Sequence, residues 1–390
     1  MNNVCDNLEK CSGCGLCESV CPQSAIEVKE YGGFLRPHIN SCCINCGICL
    51  KNCPMWIPTD NAFVTYQMFR YKAYGHSSNV KLRKEAASGG VVTELLKYLL
   101  KNDTVDYVVT ADTYHYDRNC GYVIIDKSNV DFLDNHSGSN YCPSNIGKAL
   151  KVINKIEGKY AVVCLPCLAR GIYKLKNDNP TLNDRISYII TLLCNHVPSY
   201  EATDYIVKKY KISFPKMIKY RGNGWFGSFR AYENSENETE FFSVPFSEYF
   251  SSKYSEYFWQ EACVNCKDHF GIYSDICMGD ADFVKYRETD KENHGETIVF
   301  SNNQELFTIL GKMCNEGIIS LFEDISDHEL KLIYDPLSDG DRASKRNTRT
   351  GVKDILREEK NAKRKALLKK SVYIPKRLIK KVIKELLNNE

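Results

Sequence analysis

Apolar positions at 91, 92, 95, 96, 99 and 100 recur at three- and four-residue steps, predicting an amphipathic helix with Ser88 as its N-cap. Residues 105–110 and 122–125 read as strands, and 145–156 as a second helix. Apolar runs at 160–163 and 186–193 read as buried strands, and a helix over 200–210, capped by Ser199, follows the second. Between 214 and 259 aromatic and turn residues dominate, and the pattern traces no element there. Strands alternating with helices predict an α/β fold with mixed α+β character. The longest apolar stretch, 189–194, is one strand, far short of the roughly 18 residues a spanning helix needs.

A chain of 390 residues exceeds what one core usually organises, so more than one domain is expected. The expected division is 1–60, 61–340 with a sub-boundary near 160, and 341–390. Charge separates the last part from the rest. From Asp341 onward 17 Lys and Arg face 6 Asp and Glu, a surplus of +11 in a chain whose total is +3, so residues 1–340 carry −8. An acidic body argues against a nucleic-acid grip. In the basic tail, Lys376, Arg377, Lys380, Lys381 and Lys384 interleave with Leu378, Ile379, Val382, Ile383 and Leu386 after Pro375. That arrangement suits an anionic membrane surface or an acidic protein, or a terminal helix docked on its own domain.

Cysteine changes the picture most. Ten of the 19 cysteines fall within the first 53 residues. The start of the chain shows no basic stretch followed by an apolar one, so a cytoplasmic location is expected, where thiols stay reduced and dense cysteine means metal. Two runs, Cys11-x2-Cys14-x2-Cys17-x3-Cys21-Pro22 and Cys43-x2-Cys46-x2-Cys49-x3-Cys53-Pro54, share the two-cluster ferredoxin spacing. That spacing assigns Cys11, Cys14, Cys17 and Cys53 to one 4Fe-4S centre and Cys43, Cys46, Cys49 and Cys21 to the other. A pair of zinc knuckles needs only four thiolates and explains neither the duplication nor the prolines. Cys5 and Cys42 stand outside the pattern.

Four further constellations have both functional and ordinary readings. Ser88-Gly89-Gly90 opens a helix and offers free amides to a phosphate, or is simply a glycine-rich cap. Ser137-Gly138-Ser139-Asn140-Tyr141, also ahead of a helix, has the same two readings. Residues 219–225 form a cationic glycine turn around Arg221, or a plain hairpin. Cys164, Cys167, Cys194, Cys263 and Cys266 sit at or near strand ends and in a C-x2-C pair. They supply a four-thiolate metal site, a zinc site, a redox pair at Cys164 and Cys167, or buried free cysteines.

Taken in order, these pieces resemble the family of coenzyme F420 hydrogenase/dehydrogenase beta subunits. The resemblance runs from about Tyr71 to Asp282 and rests on Arg83…Ser88-Gly89-Gly90-Val91, Gly138-Ser139…Tyr141…Ser144, Pro166-Cys167, Cys194…Val197-Pro198-Ser199, Arg221…Gly224-Trp225 and Cys263-x2-Cys266…Gly279-Asp280. It implies FAD and a third 4Fe-4S centre, with Cys167, Cys194, Cys263 and Cys266 as ligands. It also implies Ser88, Gly89, Gly90, Ser139 and Tyr141 around the flavin. Arg83 and Arg221 are candidates to offset flavin charge, and each is equally readable as one half of an ion pair. His76, His136 and His196 are candidate proton carriers, or structural. The chain departs from the family at Cys164, Leu168, His196 and Asn140, usually Gly, Gln, Gly and Lys, and lacks the aromatic after Asp280. The fold expected is a small ferredoxin-like domain followed by a larger mixed-sheet flavin and iron-sulfur domain. Three functions remain: a flavin-dependent oxidoreductase working with a redox partner protein or a small organic donor or acceptor, an electron relay without its own substrate site, and a zinc-binding interaction protein.

Overall fold

The computed structural model describes residues 3–57, 64–118, 120–233, 239–250, 255–282 and 294–338, with 357, 360–362 and 364. The amphipathic segment expected after Pro375 lies outside them. The N-terminal segment carries a hairpin, β1 (Ile26–Tyr31) with β2 (Phe34–Ile39), flanked by two short helices, Leu16–Val20 and Ile48–Lys51. The helices are structural repeats: each follows a glycine in the left-handed region, Gly15 at φ 80° and Gly47 at φ 75°, within its cysteine loop. Only glycine adopts that conformation without strain, so the loop can turn sharply and send its thiols inward.

The body is built on an eight-stranded mixed sheet. Its strands are β3 (Tyr71–Ser77), β4 (Tyr107–Ala111), β6 (Tyr122–Asp126), β7 (Tyr160–Cys164), β8 (Ile186–Leu192), β12 (Ile276–Asp280), β13 (Thr297–Ser301) and β14 (Ile319–Phe322), in the order β14-β3-β13-β12-β8-β7-β4-β6. The central four, β12, β8, β7 and β4, run parallel, and the outer strands pair antiparallel. Parallel strands are covered on both faces, which is why β7 reads as an unbroken apolar run. On one face Ala161 and Val163 pack with helices Val91–Lys101 and Gln304–Asn315, through Leu95, Leu99, Leu306 and Leu310. On the other, Tyr160, Val162 and Cys164 meet Leu168, Ile172 and Leu182 from helices Pro166–Asp178 and Pro180–Arg185.

The aromatic stretch that resisted assignment supplies most of a second, four-stranded sheet. Strands β5 (Tyr114–His115), β9 (Met217–Lys219), β10 (Ser228–Tyr232) and β11 (Glu240–Pro245) lie in the order β11-β10-β9-β5. These strands are short, so no long alternation marks them in the sequence. Their core is tyrosine and phenylalanine: Tyr114, Tyr220, Phe229 and Tyr249 with Tyr200 from the helix Tyr200–Lys209.

Three expectations change. The N-cap of the helix Val91–Lys101 is Gly90, not Ser88, whose Oγ lies 3.0 Å from Thr297 Oγ1 instead. The helix expected over 145–156 is a 3-10 turn, Ile146–Lys148, running into Ala149–Ile153. The segment 137–141 therefore follows a 3-10 helix, Lys127–His136, and does not open a helix directly. In the first two cases a tertiary contact, to β13 or to the ferredoxin loop, outweighs local preference.

Candidate functional site

The two cysteine loops come together beside the hairpin. Cys11, Cys14, Cys17 and Cys53 line one small cavity of about 20 Å³, with Pro54 and Val28. Cys49 lies near Cys21 and Cys46, and Cys43 and Cys46 are at the surface side of this half. Amides already point at sulfur: Gly13 N donates to Cys11 Sγ and Ala25 N to Cys21 Sγ, both at 3.3 Å. Burial pushes the Cys14 thiol up to about 11 and the Cys53 thiol up to about 12. Thiols raised in this way are uncharged at neutral pH unless a cationic centre draws them into the thiolate form. A cubane supplies that charge, so the donor set fits one. Outside the set, Cys5 donates to the Pro37 carbonyl at 3.2 Å and Cys42 is exposed.

The ferredoxin segment is seated on the body by buried polar contacts. Asn145 donates to Glu18 at 2.8 Å, Gly147 N to the Cys14 carbonyl at 3.2 Å, and Arg36 to Gln260 at 3.3 Å. Behind Cys14 lies a second cavity, about 330 Å³, and Cys14 lines both. Its other cysteines are Cys167, Cys194, Cys263 and Cys266, from three separate parts of the chain. Cys167 stands in the first turn of the helix Pro166–Asp178, Cys194 just beyond β8, and the other two around the helix Glu261–Val264. Val197 N and Gln260 Nε2 each donate to Cys263 Sγ at 3.4 Å. Burial pushes the Cys266 thiol up to about 11 and the Cys167 thiol well above its ordinary range. The fifth candidate, Cys164, is not in this wall: it faces a third cavity. Among the described residues no three His, Cys, Asp or Glu side chains are gathered tightly enough for a single metal ion.

The third cavity, about 360 Å³, opens at the carboxyl ends of the parallel strands, where ligands bind in open α/β sheets. Thr110, Cys164, Leu192 and Gly279 mark those ends in its wall, and Cys194, Ser144 and Leu165 belong to this cavity and to the second. Ser88, Gly90, Ser139, Tyr141 and Arg221 all line it. Arg221 is buried, and its guanidinium donates to Asp280 at 3.0 Å, to the Tyr141 hydroxyl at 2.8 Å and to the Ala87 carbonyl. Burial opposes that charge, but Asp280 and Tyr141 outweigh it and hold the guanidinium firmly ionised. His136 and His196 stand in the same wall.

Two expected lining residues are elsewhere. Arg83 donates to Glu296 at 2.9 Å and to the Gly295 carbonyl, and Glu296 also meets His76, so both face away from the cavity wall. Gly89 is excluded for a packing reason: a Cβ there would stand 2.4 Å from the Gly75 carbonyl oxygen and 2.7 Å from Thr297 N. Its smallness serves the close approach of β3 and β13. Other wall residues carried no local signal: Phe226, Phe246 and Phe250 come from the segments flanking the second sheet, and Tyr334 from the helix Asp327–Ser338. Asp280 was foreshadowed by the Gly279-Asp280 pair.

No described helix is long and apolar enough to cross a membrane. Comparison with known proteins places the sequence. The 4Fe-4S dicluster domain family matches residues 10–57. The N-terminal domain of the coenzyme F420 hydrogenase/dehydrogenase beta subunit matches residues 73–151, and its C-terminal domain 157–327. The chain is 26% identical over 295 residues to a coenzyme F420-dependent sulfite reductase of Methanocaldococcus jannaschii, covering 72% of this chain and 43% of that protein. It is 23% identical over 280 residues to an F(420)H(2) dehydrogenase subunit of Methanosarcina mazei, covering 69% and 75%. The fold is shared, at a TM-score of 0.51 and 18% identity, with a chain of the F420-reducing [NiFe] hydrogenase complex from Methanosarcina barkeri, covering 78% of this chain and 96% of that one. The chain belongs to the family of coenzyme F420 hydrogenase/dehydrogenase beta subunits and carries a two-cluster 4Fe-4S ferredoxin-type domain at its N-terminal end.

Proposed function

We propose that this protein passes electrons between an organic two-electron carrier and a redox partner protein, through FAD and three 4Fe-4S centres. The observation that carries the reading is the sharing of walls. Cys14 belongs to the first ferredoxin site and to the second cavity, and Cys194 to the second cavity and the third. Three sites in a row, each touching the next through a cysteine, form a path from a ligand cavity to the ferredoxin surface. Cys167, Cys194, Cys263 and Cys266 would hold the middle cluster.

FAD would occupy the third cavity and supply the conversion between two-electron and one-electron chemistry that iron-sulfur centres lack. The chain's own residues set the conditions. Arg221 presents a buried cation whose charge Asp280 and Tyr141 maintain. Ser88, Gly90 and Ser139 give the wall a polar side near the start of the helix Val91–Lys101, whose free amides favour a phosphate. Phe246 and Phe250 add apolar surface to the wall. The relatives named for coenzyme F420 suggest a deazaflavin as the organic carrier, and the hydrogenase and dehydrogenase names suggest a partner subunit.

The test is an anaerobic visible spectrum with flavin and iron counted per chain. The expected result is flavin bands on a broad brown shoulder. Brown protein without flavin would leave a bare relay, and a colourless protein would overturn the reading.

A further inference from the structure

The second cavity holds an arginine with no carboxylate beside it. Arg83, Arg118, Arg221 and Arg230 each meet an Asp or Glu side chain. Arg170, partly buried in the cavity wall, meets none among the described residues. Its Nη2 donates instead to the Met55 thioether sulfur at 3.8 Å, a weak acceptor, and its Nε is buried without an acceptor. The acids of the same wall are engaged elsewhere. Asp268 accepts from Phe270 N at 3.1 Å and Gly271 N at 2.6 Å, and Glu261 from Asn265 at 3.1 Å. Lys10, which is exposed, and Lys267 complete the charged groups of the wall. The helix Pro166–Asp178 fixes where Arg170 stands. Leu168, Ile172 and Leu175 are buried under the sheet, which sets the rotation of the helix. Cys167 and Arg170 both line the cavity, and at this spacing their Cβ atoms are roughly 5–6 Å apart. At the far end Asp178 pairs with Lys51 at 3.1 Å, so the helix reaches from the cavity to the second cysteine loop.

A cubane held by four thiolates is an anion, and the electron it accepts adds one more negative charge. Net charge, hydrogen bonds to sulfur and exposure set the potential of such a centre. A cation in a wall shielded from water acts on that charge with little screening and favours the reduced form. We propose that Arg170 tunes the middle cluster, its guanidinium, free of any carboxylate partner, holding the potential of that centre above what the four cysteines alone would give. The inference rests on the middle cluster proposed above. The buried Nε–H is a donor of the kind that cluster sulfur accepts. Because Met55 stands two residues after Cys53, the same side chain lies between the first ferredoxin site and the middle one. Raising the potential of the centre in the middle of the path makes it easier to fill from the flavin side. A mere tie between helix and ferredoxin loop would depend on the contact with Met55 and not on charge, and the two roles separate experimentally.

The experiment compares full-length, cluster-loaded wild type, Arg170→Gln and Arg170→Lys in anaerobic dithionite titrations followed by electron paramagnetic resonance, with iron counted in each. The spectral component that Cys194→Ala lacks marks the middle cluster. Arg170→Gln should keep about twelve iron atoms, and its middle cluster should be on the order of tenfold less reduced at a fixed potential, about 59 mV for a one-electron couple. Arg170→Lys, which keeps the charge, should stay near the wild type. Loss of the middle component from Arg170→Gln with its retention in Arg170→Lys would express the same need for charge. About twelve iron with an unmoved potential in Arg170→Gln overturns the tuning role and leaves the middle cluster standing. An equal shift in both variants, or loss of the component from both, also overturns it. About eight iron in the wild type fails the middle cluster itself, and the tuning role with it.

Discussion

Removing one thiol from each of two neighbouring strand ends should have opposite consequences. Cys164 ends β7, and Cys194 lies two residues beyond β8, its parallel neighbour. Cys194 is in the wall shared by the second and third cavities; Cys164 is in the third alone. If Cys167, Cys194, Cys263 and Cys266 hold a cubane, the wild-type chain carries about twelve iron atoms, and Cys194→Ala should fall to about eight. Cys164→Ala should keep about twelve. Its cost is that of a buried sulfur removed from a packed wall, on the order of 1–2 kcal/mol, which lowers the denaturation midpoint without touching metal. The assay is iron and acid-labile sulfide per chain after anaerobic purification, with electron paramagnetic resonance of the dithionite-reduced protein. Cys194→Ala should lose one component of the spectrum and keep the ferredoxin pair. Equal iron loss in both variants, or eight iron with one zinc in the wild type, would refute the ligand assignment.

Other consequences can be checked separately. Gly147→Ala would put a Cβ 2.6 Å from Gly15 C and 2.7 Å from the Cys14 carbonyl oxygen, both backbone atoms of the cysteine loop. Overpacking of this kind costs about 1–3 kcal/mol, and iron release to a chelator should accelerate; unchanged release would detach this contact from cluster stability. Arg221→Met leaves Asp280 beside an apolar side chain and should destabilise by about 2–3 kcal/mol, below the fully buried range because Asp280 is 25% exposed. Adding Asp280→Leu should recover part of that loss in denaturant titrations, and no recovery would mean that charge pairing is not the cause. Glu248 accepts from Tyr210 at 2.7 Å and Lys209 at 3.0 Å, and these bonds hold its carboxyl below the usual range. A depressed carboxyl stabilises above its unfolded pKa and stops doing so as pH falls through the folded one. The penalty of Glu248→Gln should therefore be small, under about 1 kcal/mol at this exposed site, and flat from about pH 5 to 8. A penalty that changes sharply within that window contradicts the assignment.

The chemistry that depends on spacing was written in the chain. The two Cys-x2-Cys-x2-Cys-x3-Cys-Pro runs specify paired clusters because the ligands of each set lie close in sequence, and only the fourth crosses over. The apolar strands β7 and β8 and the helix Val91–Lys101 were legible for a related reason: burial on fixed faces imposes a period that any window reveals. What depends on strand order was not. Cys167 and Cys194 meet because β7 and β8 lie side by side and parallel, and Cys263 reaches them through the segment that the Pro198–Trp259 bridge ties down, facts of topology with no local trace. Arg83 and Arg221 looked alike as cations near glycines; only the position of Glu296 on one side and Asp280 on the other separates an outer ion pair from a cavity wall. Ser88 looked like a cap until Thr297 claimed its hydroxyl and Gly90 took the left-handed turn. Local periodicity and ligand spacing thus fixed the elements and the ferredoxin sites, while long-range pairing decided which side chains share a cavity.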